Sequence, residues 1–279
     1  MRVAVDIGGT FTDLVAIDES KLHVLKMRST TSTPENAFIQ VIEQLLKENN
    51  LRGDQIERIV HVGTLGSNLF LGQIGIRIPK VALLTTQGFR DVIEIGRQNR
   101  SELYNVFFQR PKPLIPRRLR FEVDERIDSH GRPLRKIDEK RVHELADRLK
   151  HENIEAVAIS FLNSYLNPNN ERRAKQILSD ISNFVFASSD VDPEHREYER
   201  TSTTVVNSIL APIISRYLDT AMKKLAKLRI NSPVQLLSSS GGLVDLEEAR
   251  SRPIVAIESG PAAGVVGASE VAQQLGERH

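Results

Sequence analysis

The feature that most constrains the fold is the stretch from residue 2 to residue 18, where two apolar runs flank a Gly-Gly-Thr sequence. The runs at 3–7 and 14–17 have the Val- and Ile-rich composition of β-strands. Gly8 and Gly9 between them can adopt the backbone conformations that a tight connection requires. The stretch therefore predicts a β-hairpin at the start of the chain.

The composition of this turn also suits a phosphate group. Glycines lack a Cβ atom and so allow backbone N–H groups to converge on an anion, while Thr10 and Thr12 add hydroxyl donors. Asp6, at the end of the first strand, is a carboxylate suited to a hydrated magnesium ion. The spacing matches neither GxxxxGK[ST] nor GxGxxG. From these residues alone, a plain turn and a phosphate loop remain two open interpretations.

The overall composition excludes several classes of protein. A chain of 279 residues with 40% hydrophobic and 27% charged residues is typical of a globular enzyme with one large domain or two. A net charge of +2 provides no general attraction for nucleic acid or a membrane surface. The absence of cysteine excludes disulfides, thiolate nucleophiles and Cys-based zinc sites. Because no run approaches the ~18 apolar residues of a membrane span, we expect a cytoplasmic protein without nucleic-acid or membrane partners.

Strand-like and helical segments alternate along the chain, which predicts a layered α/β sheet with helices on its faces. Thr33 and Pro34 are typical of a helix start, and apolar residues recur at helical spacing up to about Gly53. The longest helical region follows Asp192-Pro193 and is expected to kink or break at Pro212. Further strands are predicted at 21–29, 58–62, 81–85, 156–161, 184–187, 234–237 and 254–257, and shorter helices at 87–97, 138–151, 168–182 and 245–250.

Two other strand-to-helix turns carry small polar residues. They contain Gly63, Thr64 and Asn68 after the strand at 58–62, and Ser259, Gly260 and Gly264 at the start of a helix rich in small residues. The free N–H groups of a helix start can bind an anion or a polar ligand. Helix capping and close helix packing explain the same residues, so both interpretations stay open.

The stretch from 99 to 133 differs from the rest. Four prolines interrupt regular structure there, and five basic residues lie between 110 and 120. A nucleic-acid surface would interleave aromatic residues with the basic ones, whereas here Phe107, Phe108 and Phe121 lie outside the basic run. We therefore predict an ordered insertion or a loop that contacts a partner. The histidines show no paired metal-ligand spacing, and the chain has no GxSxG elbow.

Five motifs occur along the chain: VDIGGTFTD at 5–13, TTQGFRDV with EIGRQ at 85–98, FEVDER at 121–126, REYERTSTTVVN at 196–207 and SGPAAGVVGA at 259–268. In this order they resemble the amino-terminal part of the hydantoinase/oxoprolinase family, within the actin-like ATPase superfamily. The first motif alone would be shared with sugar kinases, but the later ones are specific to this family. The resemblance spans essentially the whole chain.

The resemblance implies a fold and an activity. The fold would be α/β and ribonuclease-H-like, a mixed sheet with flanking helices and an incomplete second half. Residues 1–187 would form an amino-terminal domain with an insertion near 99–135, and residues 188–279 the beginning of a catalytic domain. ATP and Mg are the implied cofactors, and cleavage of ATP would open a cyclic amide.

The resemblance also implies roles for individual residues. Asp6, Thr10 and Asp13 would be catalytic, and Asp6 would lie near the magnesium ion. Nucleotide contacts would come from Gly8, Gly9, Thr10, Thr12, Gly63, Thr64, Asn68, Arg97, Ser259, Gly260 and Gly264.

This chain departs from the family pattern in two places. Family members read His-Gly-Thr-Thr after the fourth strand, whereas this chain reads Val62-Gly63-Thr64-Leu65. A second phosphate hairpin of the Asp-x-Gly-Gly-Thr type is expected after the SGPAAG segment and is not among these 279 residues. We therefore expect a subunit or fragment within an oligomer, which acts on a cyclic amide together with a carboxyl-terminal portion or partner subunit. The alternatives are the nucleotide-binding subunit of an acetone-type carboxylase and a non-catalytic assembly subunit.

Overall fold

A computed structural model describes residues 1–19, 21–30, 32–72 and 75–276. The chain divides into two compact units, the first formed by Met1–Ile78 with Ile213–His279 and the second by Pro79–Pro212. The first unit is therefore discontinuous in sequence, and the second is one continuous segment. The family resemblance implies a different division, at residue 187. That division concerns family segments of the sequence and remains a prediction.

Strands and helices alternate along the described chain, as the sequence predicts. The strands are β1 Arg2–Ile7, β2 Phe11–Asp18, β3 Lys21–Arg28, β4 Arg58–Gly63, β5 Val81–Thr86, β6 Arg120–Val123, β7 Arg126–Ile127, β8 Pro133–Arg135, β9 Ala156–Ser160, β10 Val185–Ala187, β11 Val234–Leu237 and β12 Leu243–Val244. The helices are α1 Pro34–Glu48, α2 Leu65–Phe70, α3 Val92–Ile95, α4 Glu139–His151, α5 Asn169–Leu178, α6 Ser188–Val191, α7 Glu197–Lys227, α8 Leu246–Ser251 and α9 Ser259–Gln274. No helix of the described ranges is both long and apolar enough to cross a membrane.

The first unit contains a six-stranded mixed sheet in the order β12-β11-β4-β1-β2-β3. β1, β4 and β11 run parallel, β2 is antiparallel to β1, and β3 is antiparallel to β2. A hairpin and third strand on one side of β1, with parallel strands on the other, form the ribonuclease-H-like arrangement. The predicted fold class, an α/β mixed sheet with flanking helices, is confirmed.

The core of the first unit follows from alternating burial in its strands. Val3, Val5 and Ile7 of β1 are buried, whereas the residues between them are exposed. α1 packs onto this buried side through apolar residues at helical spacing, including Phe38 and Leu45. Full burial of such a side chain stabilises the fold by about 1.5–3 kcal/mol. The other side of the strands leaves Asp6 exposed at the end of β1.

The second unit contains a four-stranded parallel sheet in the order β10-β9-β5-β6. Every residue of β5, β9 and β10 is buried, as expected for a parallel sheet covered on both faces. β6 lies within the region predicted as an insertion, and Phe121 and Val123 place it in the core. Part of that region is thus an integral strand of the sheet.

A buried polar cluster lies beside this second sheet. The Glu171 carboxylate accepts hydrogen bonds from Phe161 N (2.8 Å) and Ser188 Oγ (2.7 Å). The fully buried Arg200 guanidinium donates to Ser188 Oγ (3.0 Å) and to Phe161 O (2.9 Å). Ser188 therefore bridges two opposite charges that burial would otherwise destabilise.

Three predicted elements differ in the structure. α7 continues through Pro212, so the break is absent while a kink there stays a prediction; buried residues such as Leu210 and Ile213 offset the ~3 kcal/mol cost of an internal proline. The strand predicted at 254–257 is wrong: Pro253–Ala256 form a 3-10 helix, in which Val255 N donates to Arg252 O at 3.1 Å. The helix predicted at 87–97 is only Val92–Ile95, since glycines in the left-handed region lie on both sides of it.

Candidate functional site

The Gly-Gly-Thr turn forms the end of a tight hairpin in the first unit. β1 and β2 pair in the register that places Ile7 opposite Thr12, and Gly8 N donates to Phe11 O at 2.9 Å. Gly8, Gly9 and Thr10 connect the two strands. The predicted hairpin is present, and its turn lies at the carboxyl end of β1.

The backbone of this turn has two of its carbonyl oxygens bonded and its central amides free. Ser29 Oγ donates to Gly8 O at 2.8 Å, and Ser29 N donates to Thr10 O at 2.9 Å. Within the described ranges, the N–H groups of Gly9 and Thr10 have no hydrogen-bond acceptor. Thr10 is exposed and Gly9 is half-buried, so both amides are available to an anion.

The turn after β4 lies beside the hairpin. β4 pairs with β1 so that Gly63 is opposite Ile7, and Thr64 N donates to Ile7 O at 3.2 Å. Asn68 Nδ2 donates to Thr64 Oγ1 at 2.9 Å. A Cβ atom added to Gly9 would lie 3.2 Å from that same Nδ2 atom. The Asn68 amide is therefore packed against the hairpin turn.

The start of α9 is held against the same turn. The buried Ser259 hydroxyl accepts from Gly63 N (3.0 Å) and donates to Gly63 O (2.8 Å). A Cβ atom on Gly260 would lie 2.9 Å from Thr64 Cγ2, so a larger residue there would have to displace the Thr64 side chain. Gly264 lies one turn further along α9, is exposed, and has no atom within 4 Å of an added Cβ. The first unit thus brings Gly63, Thr64, Asn68, Ser259 and Gly260 to the hairpin turn, whereas Gly264 lies apart from it.

Two carboxylates and one ammonium group form a row on the exposed side of the hairpin. Asp6 is opposite Asp13, and the Asp13 carboxylate accepts from Lys26 Nζ at 2.7 Å. Loss of hydration and the Asp13 charge raise the pKa of Asp6, while Lys26 opposes the change. A bound cation would favour the ionised form of Asp6.

The donor set limits how a metal ion could be held. No group of three or more His, Cys, Asp or Glu residues in the described part of the chain could hold a metal ion. Mg²⁺ commonly keeps several waters and uses one or two carboxylates together with substrate phosphates. Asp6 lies beside a turn with two free amides, so these residues fit the second arrangement, in which a ligand supplies further oxygens, and do not form an all-protein magnesium cage.

Two predicted residues have other surroundings. Arg97 belongs to the second unit, where its Nε donates to Glu199 Oε1 and its side chain lines a groove of about 910 Å³ with Lys112 and Tyr198. The Thr12 hydroxyl is completely buried and hydrogen bonded to Ser29 Oγ at 2.9 Å. Nucleotide contacts by these two residues remain predictions.

Sequence reasoning missed Ser29. This residue follows β3 and belongs to none of the motifs, yet it bonds the carbonyl groups of Gly8 and Thr10. Its place depends on the pairing of Phe11 with Arg28 between β2 and β3. Only that strand register could have pointed to it.

Comparisons with known proteins agree with the fold. Residues 2–182 match the hydantoinase/oxoprolinase N-terminal region, and residues 200–279 match the hydantoinase/oxoprolinase model. An uncharacterized protein of Methanocaldococcus jannaschii is 46% identical over 95% of this chain. The caprolactamase subunit alpha of Pseudomonas jessenii is 33% identical over 99% of it. This chain spans only 39% and 40% of these two relatives.

Two solved structures share the fold over 99% of this chain and 41% of their own. The ATP-dependent caprolactamase from Pseudomonas jessenii superposes with a TM-score of 0.87 at 31% identity. Nucleotide-free acetone carboxylase, described in connection with ATP-dependent acetone carboxylation, has a TM-score of 0.84 at 26% identity. The matched family models, the relatives and the shared fold together show that the chain belongs to the hydantoinase/oxoprolinase family.

Proposed function

We propose that this chain is the nucleotide-binding part of an ATP-dependent cyclic amidohydrolase. The observation that carries the proposal is the pair of free amides at Gly9 and Thr10, next to the Asp6 carboxylate at the end of β1. A turn of this kind binds phosphate through backbone N–H groups. The chain belongs to a family that includes an ATP-dependent caprolactamase, which also supports nucleotide binding.

Each residue of the site has a proposed role. The Gly9 and Thr10 amides, with the Thr10 hydroxyl, bind phosphate oxygens, and Asp6 holds a water-ligated Mg²⁺ beside them. Asp13 and Lys26 balance charge next to Asp6. Gly63, Thr64, Asn68, Ser259 and Gly260 shape the adjoining wall. ATP, when bound, supplies the phosphoryl group and the free energy that activate the amide for ring opening.

The chain is proposed to act with further protein. It spans about 40% of its relatives, one of which is named as a subunit. Phosphoryl transfer depends on positioning and on neutralising charge around the phosphates, so a partial site should bind nucleotide weakly and turn over little. A carboxyl-terminal portion or a partner subunit would complete the site.

The decisive variant is Asp6→Asn in the complete assembly. We expect amide-dependent ATP hydrolysis to fall at least 100-fold, because a neutral amide side chain cannot balance a magnesium ion. The measurement is phosphate release with hydantoin, 5-oxoproline or caprolactam as substrate. Asp147→Asn, an exposed substitution on α4 with the same charge change, is the matched control and should leave the rate unchanged. Equal rates for Asp6→Asn and wild type would refute the proposal and favour a non-catalytic assembly subunit.

A second candidate is the nucleotide-binding subunit of an acetone-type carboxylase, which the similarity to acetone carboxylase favours. The same hairpin would bind ATP in both cases. ATP cleavage that requires bicarbonate and a ketone, with no response to cyclic amides, would select the carboxylase.

A further inference from the structure

Ser29 completes a chain of two hydroxyl groups that reaches the hairpin turn. Thr12 Oγ1 lies 2.9 Å from Ser29 Oγ, and Ser29 Oγ donates to Gly8 O at 2.8 Å. A serine hydroxyl has one proton, so Ser29 must accept its other hydrogen bond from Thr12. The relay therefore runs from the buried Thr12 on β2, through Ser29, to the carbonyl of Gly8.

The backbone of Ser29 bonds the other side of the turn. Its N–H group donates to Thr10 O at 2.9 Å. One residue thus holds the carbonyl oxygens of both Gly8 and Thr10. The side chain bonds Gly8 O and the main chain bonds Thr10 O. A side-chain substitution can therefore remove the first bond and keep the second.

Holding the Gly8 carbonyl fixes the direction of the amide that follows it. The peptide bonds of the described residues are trans, and a planar trans peptide directs its N–H group opposite to its C=O group. With Gly8 O directed at Ser29, the Gly9 N–H points away from Ser29. The Gly9 donor is therefore oriented before any ligand arrives, which lowers the ordering cost of binding.

We propose that Ser29 is a positioning residue that aims the Gly9 amide at the phosphates of a nucleoside triphosphate. This inference rests on the proposed function for the identity of the ligand. Thr12 acts through Ser29, and its buried hydroxyl supports the turn instead of donating to the ligand. Ser29 itself makes no contact with the nucleotide.

The first test needs no ligand. Ser29→Ala removes the relay but keeps the N–H bond to Thr10, so the β2–β3 pairing is preserved. We expect the backbone ¹H–¹⁵N heteronuclear NOE of Gly9 to fall clearly below that of wild type, whereas Ser29→Thr, which retains the hydroxyl, restores it. Ser182→Ala is the matched control, because Ser182 Oγ also donates to a backbone carbonyl at 2.8 Å, in the second unit. An unchanged Gly9 in Ser29→Ala would overturn the inference.

The second test uses Mg-ATP and inorganic pyrophosphate as probes of the folded protein, by titration calorimetry or NMR shift mapping. Loss of one orienting hydrogen bond should weaken the binding of both probes by about tenfold in Ser29→Ala. In Ser29→Thr and Ser182→Ala the binding should weaken by less than about twofold.

Equal binding by Ser29→Ala and wild type would overturn the positioning role alone. If the wild-type protein binds neither probe, the proposed function is overturned. The heteronuclear NOE of Gly9 would still test whether Ser29 orders the turn. If Ser29→Ala does not fold, Thr12→Val, which removes the donor to Ser29 at nearly constant volume, takes its place with the same criteria.

Discussion

At the scale of single residues, Gly9 is required by a contact and not by its backbone conformation. It is not among the residues with positive φ, so an L-residue could adopt its dihedral angles. The obstacle is the Asn68 amide, 3.2 Å from the place of a Cβ atom. Asn68 is buried and bonded to Thr64, which limits how far it can withdraw.

We predict that Gly9→Ala weakens Mg-ATP binding by about tenfold with little change in unfolding free energy. The added methyl group must displace Asn68 or the turn by a few tenths of an ångström, and that displacement misaligns the phosphate donors. Titration with Mg-ATP measures the affinity, and urea unfolding measures the stability. Gly267→Ala on α9 is the control, since a Cβ there meets no atom within 4 Å. Restored affinity in Gly9→Ala/Asn68→Ser would identify Asn68 as the cause, and full affinity in Gly9→Ala alone would contradict the prediction.

At the scale of elements, a buried histidine joins β4 to the carboxyl-terminal half of α7. His61 Nε2 lies 3.0 Å from Tyr217 Oη, and Nδ1 lies 3.4 Å from Val5 O. With Nδ1 protonated, the ring donates to Val5 and accepts from Tyr217. Burial lowers the pKa of His61 to about 4 and raises that of Tyr217, so both groups are held neutral.

This arrangement predicts acid-sensitive stability. The unfolded chain protonates His61 near its ordinary pKa of 6.5, whereas the folded protein protonates it only near 4. The stabilisation is therefore present above pH 6.5 and is lost as pH falls towards 4, by up to about 3 kcal/mol. Between pH 7.5 and 4.5, the unfolding free energy measured with urea should change less steeply with pH for His61→Gln than for wild type. His143→Gln, at an exposed position on α4, should keep the wild-type slope, and identical slopes for all three proteins would contradict the prediction.

At the scale of the whole molecule, the two units are built differently. The first combines the beginning of the chain with its last part, so its sheet needs β11 to complete it. The second is continuous from Pro79 to Pro212 and has its own parallel sheet, its own apolar core and the buried Arg200–Ser188–Glu171 cluster. An uninterrupted segment with a complete core can fold independently.

We predict that residues 79–212, expressed alone, fold cooperatively. Far-UV circular dichroism and urea unfolding should give one sigmoidal transition. Arg200→Met should lower the midpoint because it removes the buried guanidinium that bonds Ser188 Oγ and Phe161 O, and with it the cation that Ser188 bridges to Glu171. Arg148→Met, at an exposed position on α4, is the control and should have a much smaller effect. A gradual, non-cooperative loss of signal from the wild-type segment would contradict the prediction.

The sequence alone determined the local structure wherever the pattern was strong. Alternation with Gly8-Gly9 predicted the hairpin, and Thr33-Pro34 with helical periodicity predicted α1. The motifs predicted the family and the neighbourhood of the site. Local patterns failed where packing competes with propensity, as at Pro212 inside α7 and at Pro253–Ala256.

Tertiary structure alone decided which groups surround the hairpin turn. Hydroxyl groups such as those of Ser29 and Ser259 look alike in sequence, and only strand pairing brings one to Gly8 and the other to Gly63. The Asn68 amide reaches Gly9 because β4 lies next to β1. Features that depend on residues a few positions apart in the chain, such as a turn or a helix start, can be predicted from the sequence. Orientation that depends on hydrogen bonds between distant segments exists only after the sheet has formed, because the register sets which groups meet.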